Sequence, residues 1–170
     1  RILAEHLGVR TQTHDIEPAL AAIGCYEQRD AAVRRVLPGY GPGWRFKIVI
    51  AGGRDGGINY FRLVAKSPDG TDHDVPLPLA EYLAIVAATN FKQRIRKNLE
   101  YFHADRLNYA VTGTPNRLEY DQGFFVKNGD GAADVKPIAH LYKSQVYAMA
   151  RAIGVPEEIC RRRPTTDTYS

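Results

Sequence analysis

The sequence predicts an α/β protein with a parallel sheet, because segments of strand character alternate along the chain with segments of helical period. A long helical pattern runs from roughly Leu79 to Asp105, and residues 107–114 follow it as a short buried strand. The chain has 170 residues, of which 44% are hydrophobic and 25% charged, a composition typical of one globular domain with its own core. We therefore expect residues 1–170 to form a single domain around that sheet.

The N-terminal segment predicts a helix, a strand and a second helix. Residues 2–7 carry apolar side chains on one helical side, and the pattern stops at Gly8. Residues 9–15 alternate like a short strand. Asp15 then predicts an N-cap for a helix over residues 17–23.

A β-rich insertion is predicted at residues 38–77. A short helical segment over residues 29–37 ends at Pro38, after which glycines and prolines leave no regular period. Two runs of β-branched and aromatic residues follow, RFKIVIA and INYFRLVAK, and the glycines of the intervening GGRDGG permit the positive φ values of a hairpin turn. We therefore expect a β-hairpin within the insertion.

The long helix carries two stripes of side chains. Apolar residues at helical spacing should face the core, namely Phe91, Ile95, Leu99 and Phe102. A polar, cationic edge lies beside them, formed by Asn90, Arg94 and Lys97. Taken alone, this edge is typical of a solvated helix surface.

The loop GTPNRLEYDQGFFVKNGDGAADVKPI, residues 113–138, lies where a ligand site is expected, because ligands in open α/β sheets bind beyond the carboxyl ends of strands. An amphipathic helix over residues 142–153, closed by Gly154, follows it. Acids in this region can bind a cation and lysines can bind phosphate: Glu119, Asp121, Asp130, Asp134, Lys127 and Lys143. These residue types favour a metal-nucleotide site, and a solvent loop with Asx turns is the alternative.

Composition argues against several classes of protein. No stretch of the sequence has the apolar length that a membrane span needs, so we expect no membrane partner and a cytoplasmic location. Cys25 and Cys160 are too few and too far apart for a disulfide framework, and no Cys or His pair has metal-ligand spacing. The net charge of +4 is modest for a nucleic-acid binder and suits nucleotide-sized anions.

Five short motifs occur in order along the chain: N-x-K-x-R-x-R at 90–96, GT-x4-E at 113–119, GFF-x-K-x-GDG-x-x-D at 123–134, L-x-K at 141–143 and PT-x-D at 164–167. In order and spacing they resemble the motifs of the NAD⁺ synthetase family. The resemblance covers residues 78–170 well and residues 1–24 loosely. Five motifs in register make it far more specific than a single glycine pattern.

The resemblance implies a fold, a reaction and a set of partners. The family is similar to other N-type ATP pyrophosphatases, whose adenine nucleotide alpha hydrolase-like fold is a doubly wound parallel sheet with flanking helices. Its members are homodimers that use Mg²⁺ and ATP to adenylate the carboxylate of deamido-NAD⁺, with release of pyrophosphate. Ammonia then attacks the acyl adenylate to give NAD⁺ and AMP. The resemblance implies no nucleic-acid partner.

The resemblance also implies residue roles wherever a motif matches. Glu119 resembles the magnesium ligand, and Lys143 resembles the catalytic residue that stabilises phosphoryl charge as pyrophosphate leaves. The implied ATP contacts are Thr114, Lys143 and Thr165. The implied deamido-NAD⁺ contacts are Arg94, Lys127 and Asp134.

Other residues of the same motifs are expected to have structural roles. Arg96 and Lys97 should face solvent. Phe124 and Phe125 could stack on a substrate or anchor the loop in the core, and we expect at least one of them to be an anchor. Gly129 and Gly131 should shape the loop backbone.

One family motif is absent, since the Ser-Gly-Gly-x-Asp-Ser phosphate loop occurs nowhere in the sequence. We therefore expect the domain to be incomplete at both ends. Free ammonia is the simplest nitrogen source, and glutamine through a separate amidase domain is the other. Two alternative functions stay open: another N-type ATP pyrophosphatase of the GMP synthetase or tRNA-thiolating type, or a non-catalytic nucleotide-binding domain.

Overall fold

The computed structural model describes residues 2–52 and 58–162 of the chain. Within these ranges the elements are α1 Ile2–Leu7, α2 Glu17–Ala22, α3 Cys25–Val36, β1 Arg45–Ala51, β2 Tyr60–Lys66, β3 Asp72–Pro76, α4 Leu79–Leu107, α5 Arg117–Asp121, α6 Lys143–Ala152 and α7 Glu157–Cys160. None of these described helices combines the length and apolar character required to cross a bilayer. The fold is thus of the α/β class, with helices and a small sheet.

The described residues fall into two compact units. We call residues 17–52 and 58–89 the sheet unit, and residues 2–16 and 90–162 the loop unit. The single-domain organisation and the insertion bounds 38–77 stay predictions.

The sheet unit contains a three-stranded antiparallel sheet in the order β1-β2-β3. β1 pairs with β2 from Arg45↔Lys66 to Ala51↔Tyr60, which confirms the predicted hairpin. Most of the connecting GGRDGG lies outside the described residues. The sequence does not predict β3, because its segment DHDVP has only one β-branched residue and is held by pairing with β2.

The core of the sheet unit lies between α3, the sheet and the start of α4. Val33 on α3 and Leu63 on β2 are both 0% exposed, and Ile85 on α4 is 3% exposed. The rings of Phe61 and Tyr82 stack with centroids 3.8 Å apart. Burying each aliphatic side chain of this size stabilises the fold by roughly 1.5–3 kcal/mol. This cluster is therefore the main source of the stability of the sheet unit.

Three predicted helices are confirmed with small changes in their bounds. α1 ends at Leu7, where Gly8 has φ of 65°. α3 begins four residues earlier than the predicted 29, because Gly24 with φ of 75° turns the chain directly from α2 into α3. α6 ends at Ala152, followed by Gly154 with φ of 79°.

Two predicted strands do not form in the described loop unit. Residues 9–15 have no strand ladder, so that prediction was wrong. The segment 107–114 contains only one parallel bridge, between Thr112 and Val135. Leu107 belongs to α4, which continues to that residue, and not to a strand. The described residues also provide no neighbouring strand that would extend the bridge into a ladder.

Helix α4 confirms the predicted long helix but corrects two side chains. Phe102 was expected to face the core but is 61% exposed, with its ring in edge contact with that of His103. Lys97 was expected to face solvent but is only 6% exposed. Its amine pairs with Glu100 three residues along the helix, which allows the aliphatic stem to be covered.

Candidate active site

A short pair of parallel segments positions the start of the loop. The N–H of Gly113 donates to the carbonyl of Val135 at 2.8 Å, next to the Thr112–Val135 bridge. A Cβ built on Gly113 would lie 2.7 Å from the Cβ of Ala133, so glycine is required for this approach. The backbone position of Thr114, the next residue, is therefore fixed by this close approach.

Glu119 lies on α5, whose first turn is fixed by a complete capping box. The side chain of Asn116, 6% exposed, accepts hydrogen bonds from the N–H groups of Leu118 at 3.0 Å and Glu119 at 3.3 Å. In return, Oε2 of Glu119 accepts from the N–H of Asn116 at 2.9 Å. The box holds one carboxylate oxygen against the backbone and so fixes the direction of the Glu119 side chain.

Lys143 is the first residue of α6, and the chain just before it is tied to α5. The N–H of Arg117 donates to the carbonyl of Leu141 at 2.8 Å, and the Arg117 guanidinium lies 5.0 Å from the ring centroid of Tyr142. The N–H of Tyr142 donates to Oε1 of Gln145 at 2.8 Å. Lys143 is thus an exposed cation at the amino end of a helix, where the helix dipole also favours anions.

These elements surround a cavity of about 410 Å³ in the loop unit, within the size range of ligand sites. Its polar lining consists of Thr114, Asn116, Glu119, Lys143, Tyr147 and Arg162. Its apolar lining includes Ile138, Val146, Ala150, Val155 and Ile159. One carboxylate, two cations and an apolar wall therefore face the same space, which suits a cation-bound anion attached to an apolar ring.

Arg94 and Lys127 meet at a second place in the loop unit. Nε of Arg94 donates to the backbone carbonyl of Lys127 at 3.1 Å, which joins α4 to the loop. The N–H of Val126 donates to Oδ1 of Asp130 at 2.8 Å and closes the turn between them. Asn128 in this turn has φ of 60°, a backbone region in which asparagine is more readily found than most residues.

Close backbone packing fixes the same loop. A Cβ on Gly131 would lie 2.1 Å from Cδ2 of Phe125, and one on Gly129 would lie 3.0 Å from the Cβ of Gln93. Phe125 is half-buried, whereas Phe124 is 80% exposed. Phe125 packs against Gly131 but is only half-buried, so the prediction that a phenylalanine anchors the loop in the core is not confirmed. The close contacts at Gly129 and Gly131 confirm that both glycines shape the loop.

Asp134 holds the parallel pair together through both carboxylate oxygens. Oδ2 accepts from the N–H of Val111 at 2.7 Å, and Oδ1 accepts from the hydroxyl of Tyr101 at 3.3 Å. Partial loss of solvent raises the pKa of Tyr101 above its ordinary value, and the Asp134 carboxylate raises it further. This hydroxyl therefore stays a proton donor at neutral pH.

The structure brings some of the sequence-predicted site residues together and leaves others apart. Thr114, Glu119 and Lys143 line one cavity. Arg94 contacts Lys127, but neither these two nor Asp134 line that cavity. Thr165 lies outside the described residues.

Three lining residues were missed by the sequence analysis, namely Asn116, Tyr147 and Arg162. Asn116 could have been predicted from the sequence, because Asn followed three residues later by Glu is a capping-box pattern. Tyr147 and Arg162 could not, since the cavity that they share forms only when α6 and α7 pack.

The donor set of the cavity fits Mg²⁺ that arrives with a nucleotide rather than a resident metal. Within residues 2–52 and 58–162, no group of three His, Cys, Asp or Glu side chains has the arrangement of a metal site. Mg²⁺ commonly binds one or two protein carboxylates and completes its octahedron with water and substrate phosphates. Glu119 supplies one such carboxylate, and the hydroxyl of Thr114 lines the same cavity.

Comparison with known proteins gives consistent matches. The model of the NAD synthase family matches residues 78–170. NH(3)-dependent NAD(+) synthetases are 64% identical in Rhizobium meliloti and 57% identical in Mesorhizobium japonicum, each over 100% of this chain. The solved structure of NMN synthetase from Francisella tularensis superposes over 95% of the chain and 46% of its own, with a TM-score of 0.59 at 24% identity, and so shares the fold. The chain spans about half the length of the curated relatives, 51% for the Rhizobium meliloti protein.

Proposed function

Because this chain belongs to the NAD synthase family, we propose that it is part of an ammonia-dependent NAD⁺ synthetase. The reaction joins ammonia to the nicotinate carboxylate of deamido-NAD⁺, with conversion of ATP to AMP and pyrophosphate. A carboxylate resists attack by ammonia because oxide is a poor leaving group. Adenylation replaces oxide by AMP as the leaving group, and this is the chemistry that the site must support.

The observation that carries the proposal is the cavity lined together by Thr114, Glu119 and Lys143. These residues come from the end of the parallel pair, from α5 and from α6. Apart from the cations and carboxylate, much of the lining is apolar, which suits a nucleotide with a base at one end and phosphates at the other.

Three polar residues of the cavity would bind the substrate or stabilise its charge. Bound Mg²⁺ would neutralise phosphate charge as pyrophosphate leaves. Glu119, oriented by the capping box, would hold that ion with its remaining carboxylate oxygen. Lys143 would stabilise the negative charge that develops on the leaving phosphates, and Thr114 would donate its hydroxyl to ATP. Thr165 is assigned to ATP by family resemblance alone.

The contact between Arg94 and Lys127 supports a second binding region for the acid substrate. The Arg94 side chain is fixed there by a hydrogen bond to the backbone carbonyl of Lys127, the residue that carries the second cation. Both are suited to the phosphates of deamido-NAD⁺. Asp134 would join them from the base of the loop, where its carboxylate is already fixed.

We propose that the full-length protein has the doubly wound parallel sheet of the family, with the sheet unit added to it. The Thr112–Val135 bridge supports this, because it has the parallel sense of such a sheet. Residues 10–16 and the end of α4 also line a cavity of about 990 Å³ in the loop unit, wide enough for further extended chain. Slow amide exchange at residues 109–112 in the full-length protein would support the sheet, and rapid exchange would contradict it.

A homodimer in the cytoplasm, without nucleic acid or a membrane as partner, completes the proposal. Its support is the family membership and a net charge of only +4. Light scattering of the full-length protein would test the dimer. A monomer at micromolar concentration would contradict it.

The function is tested by measuring AMP and pyrophosphate release by the full-length protein with different acids. Deamido-NAD⁺ with ammonia and Mg-ATP should give equal amounts of NAD⁺, AMP and pyrophosphate. Nicotinate mononucleotide, xanthosine monophosphate and tRNA serve as competing acceptors, and preference for any of them would reject the assignment. Glutamine in place of ammonia tests whether an amidase domain takes part. Binding of Mg-ATP without turnover of any acceptor would indicate a non-catalytic nucleotide-binding protein.

A further inference from the structure

Arg162 lines the same cavity as Thr114, Glu119 and Lys143, although no family motif assigns it a role. We propose that Arg162 is a further phosphate-binding residue, which contacts the β- and γ-phosphates that leave as pyrophosphate. This inference rests on the proposed function, because it takes Mg-ATP as the ligand of the cavity.

The main chain of Arg162 is held at the cavity by two hydrogen bonds. The hydroxyl of Tyr147 donates to the carbonyl of Arg162 at 3.4 Å, and the N–H of Arg162 donates to the carbonyl of Ile159 at 3.1 Å. Tyr147 follows Lys143 by four residues on α6, so the two lie on one face of the helix with Cβ atoms roughly 5–6 Å apart. Arg162 is therefore anchored by a side chain that starts one helical turn from Lys143.

The charges of the cavity favour a ligand with more than one phosphate. Lys143 is a compact point charge, whereas the guanidinium of Arg162 presents donors in a planar fork that matches two oxygens of a phosphate group. Glu119 is the one acid of the described lining, and with a bound Mg²⁺ it would favour anions rather than repel them.

The neighbouring Arg161 differs in two respects: it does not line the cavity, and its Nε contacts Oε1 of Glu157 at 3.0 Å. A surface ion pair of this kind contributes little to stability. Arg161 is therefore a matched control for Arg162, with the same side chain at the next position.

The test is calorimetric titration of the full-length protein with Mg-ATP, with Mg-pyrophosphate and with AMP. Arg162→Ala should weaken Mg-ATP and Mg-pyrophosphate about tenfold, the effect of one charge-assisted hydrogen bond, and leave AMP within about twofold. Arg162→Gln keeps polarity and most of the length but lacks the charge, and should behave like Arg162→Ala. Tyr147→Phe should weaken Mg-pyrophosphate about twofold, because it loosens the anchor of Arg162. Arg161→Ala should bind all three ligands as the unchanged protein does.

Three other outcomes would contradict the inference about Arg162 or both proposals. Unchanged Mg-pyrophosphate affinity in both Arg162 variants would overturn the inference and leave the proposed function intact if Lys143→Ala still weakens Mg-ATP. An equal loss of AMP affinity would also overturn it, since the contact would then lie outside the leaving phosphates. Failure of the unchanged protein to bind Mg-ATP would overturn both proposals. Circular dichroism melts of each variant separate loss of binding from loss of fold.

Discussion

Different kinds of interaction stabilise the sheet unit and the loop unit, each within itself. In the sheet unit, Leu63 and Val33 are both 0% exposed and belong to one continuous apolar cluster. The described loop unit buries fewer apolar side chains, among them Ala104, Val111 and Cys160. Capping boxes, carboxylate bridges to backbone N–H groups and close glycine contacts fix the loop unit instead.

This difference separates stability from function. A packed apolar cluster resists unfolding because every member removes its neighbours from water. A polar loop cannot do so, but directional hydrogen bonds can orient a carboxylate or a cation without covering it. Substitutions in the sheet unit should therefore change stability and leave substrate binding alone, whereas substitutions in the loop unit should also change substrate or metal binding.

The largest expected effect is that of Leu63→Ala in β2. Because Leu63 is fully buried in the apolar cluster, the change should lower the free energy of unfolding by about 2–5 kcal/mol, as loss of transfer energy and a cavity combine. Urea unfolding of the full-length protein measures this. Ile50→Ala on β1 is the control, since Ile50 is 68% exposed and should cost no more than about 0.5 kcal/mol. Equal losses in the two variants would contradict the comparison.

The second effect is that of Gly131→Ala in the loop. A Cβ would lie 2.1 Å from Cδ2 of Phe125, so the ring or the backbone must move, at a cost of about 1–3 kcal/mol. Because Lys127 lies in the same loop, the KM for deamido-NAD⁺ should rise more than the KM for ATP, which steady-state kinetics measures.

The matched control is Gly41→Ala, where a Cβ would meet nothing within 4 Å. It should change neither Michaelis constant. An unchanged KM for deamido-NAD⁺ in Gly131→Ala would separate the loop from substrate binding.

Local sequence patterns predicted the hairpin of the sheet unit and the long helix α4. The hairpin follows from two β-rich runs around a glycine-rich turn, and α4 follows from its period alone. β3 was not predictable, because its pairing with β2 decides its conformation. Residues 9–15 show the opposite error, since an alternating pattern does not make a strand when the described chain offers no partner ladder.

Only some residues of the candidate site could be predicted from the sequence, for a similar reason. Glu119 and Lys143 stand in motifs at fixed spacing, so their residue types could be selected from the sequence. The double engagement of Asp134 with Val111 and Tyr101 could not, because it joins residues 23 and 33 positions apart. Sequence spacing selects candidates, and packing decides which of them share a cavity.

The third effect is that of Asn116→Ala at the start of α5. Loss of the N-cap should lower stability by about 1 kcal/mol, which is less than the effect at Leu63. The change should also release Glu119, so that the Mg²⁺ concentration for half-maximal AMP formation rises. Asn116→Ser is the control, because a serine hydroxyl can restore the cap and should recover most of both losses. Reduced stability with an unchanged Mg²⁺ requirement would show that Asn116 does not position Glu119.

The smallest effect concerns Asp69, in the turn between β2 and β3. The Ser67 hydroxyl, which donates to Oδ1, lowers the pKa of Asp69 below its ordinary value, and the N–H of Thr71, at 3.1 Å, lowers it further. A carboxyl whose pKa is lower in the folded state stabilises that state above its unfolded pKa, near 4, and this contribution is lost as the pH falls through the folded value. Asp69→Asn should therefore slightly lower the unfolding temperature at pH 7 and make it less sensitive to acid below pH ~4. Ser67→Ala should reduce the same sensitivity, and the double variant should add little to either single change, because both remove one interaction. Additive losses would show that the turn does not depend on this hydrogen bond, and the stability of the sheet unit would then rest on its apolar cluster alone.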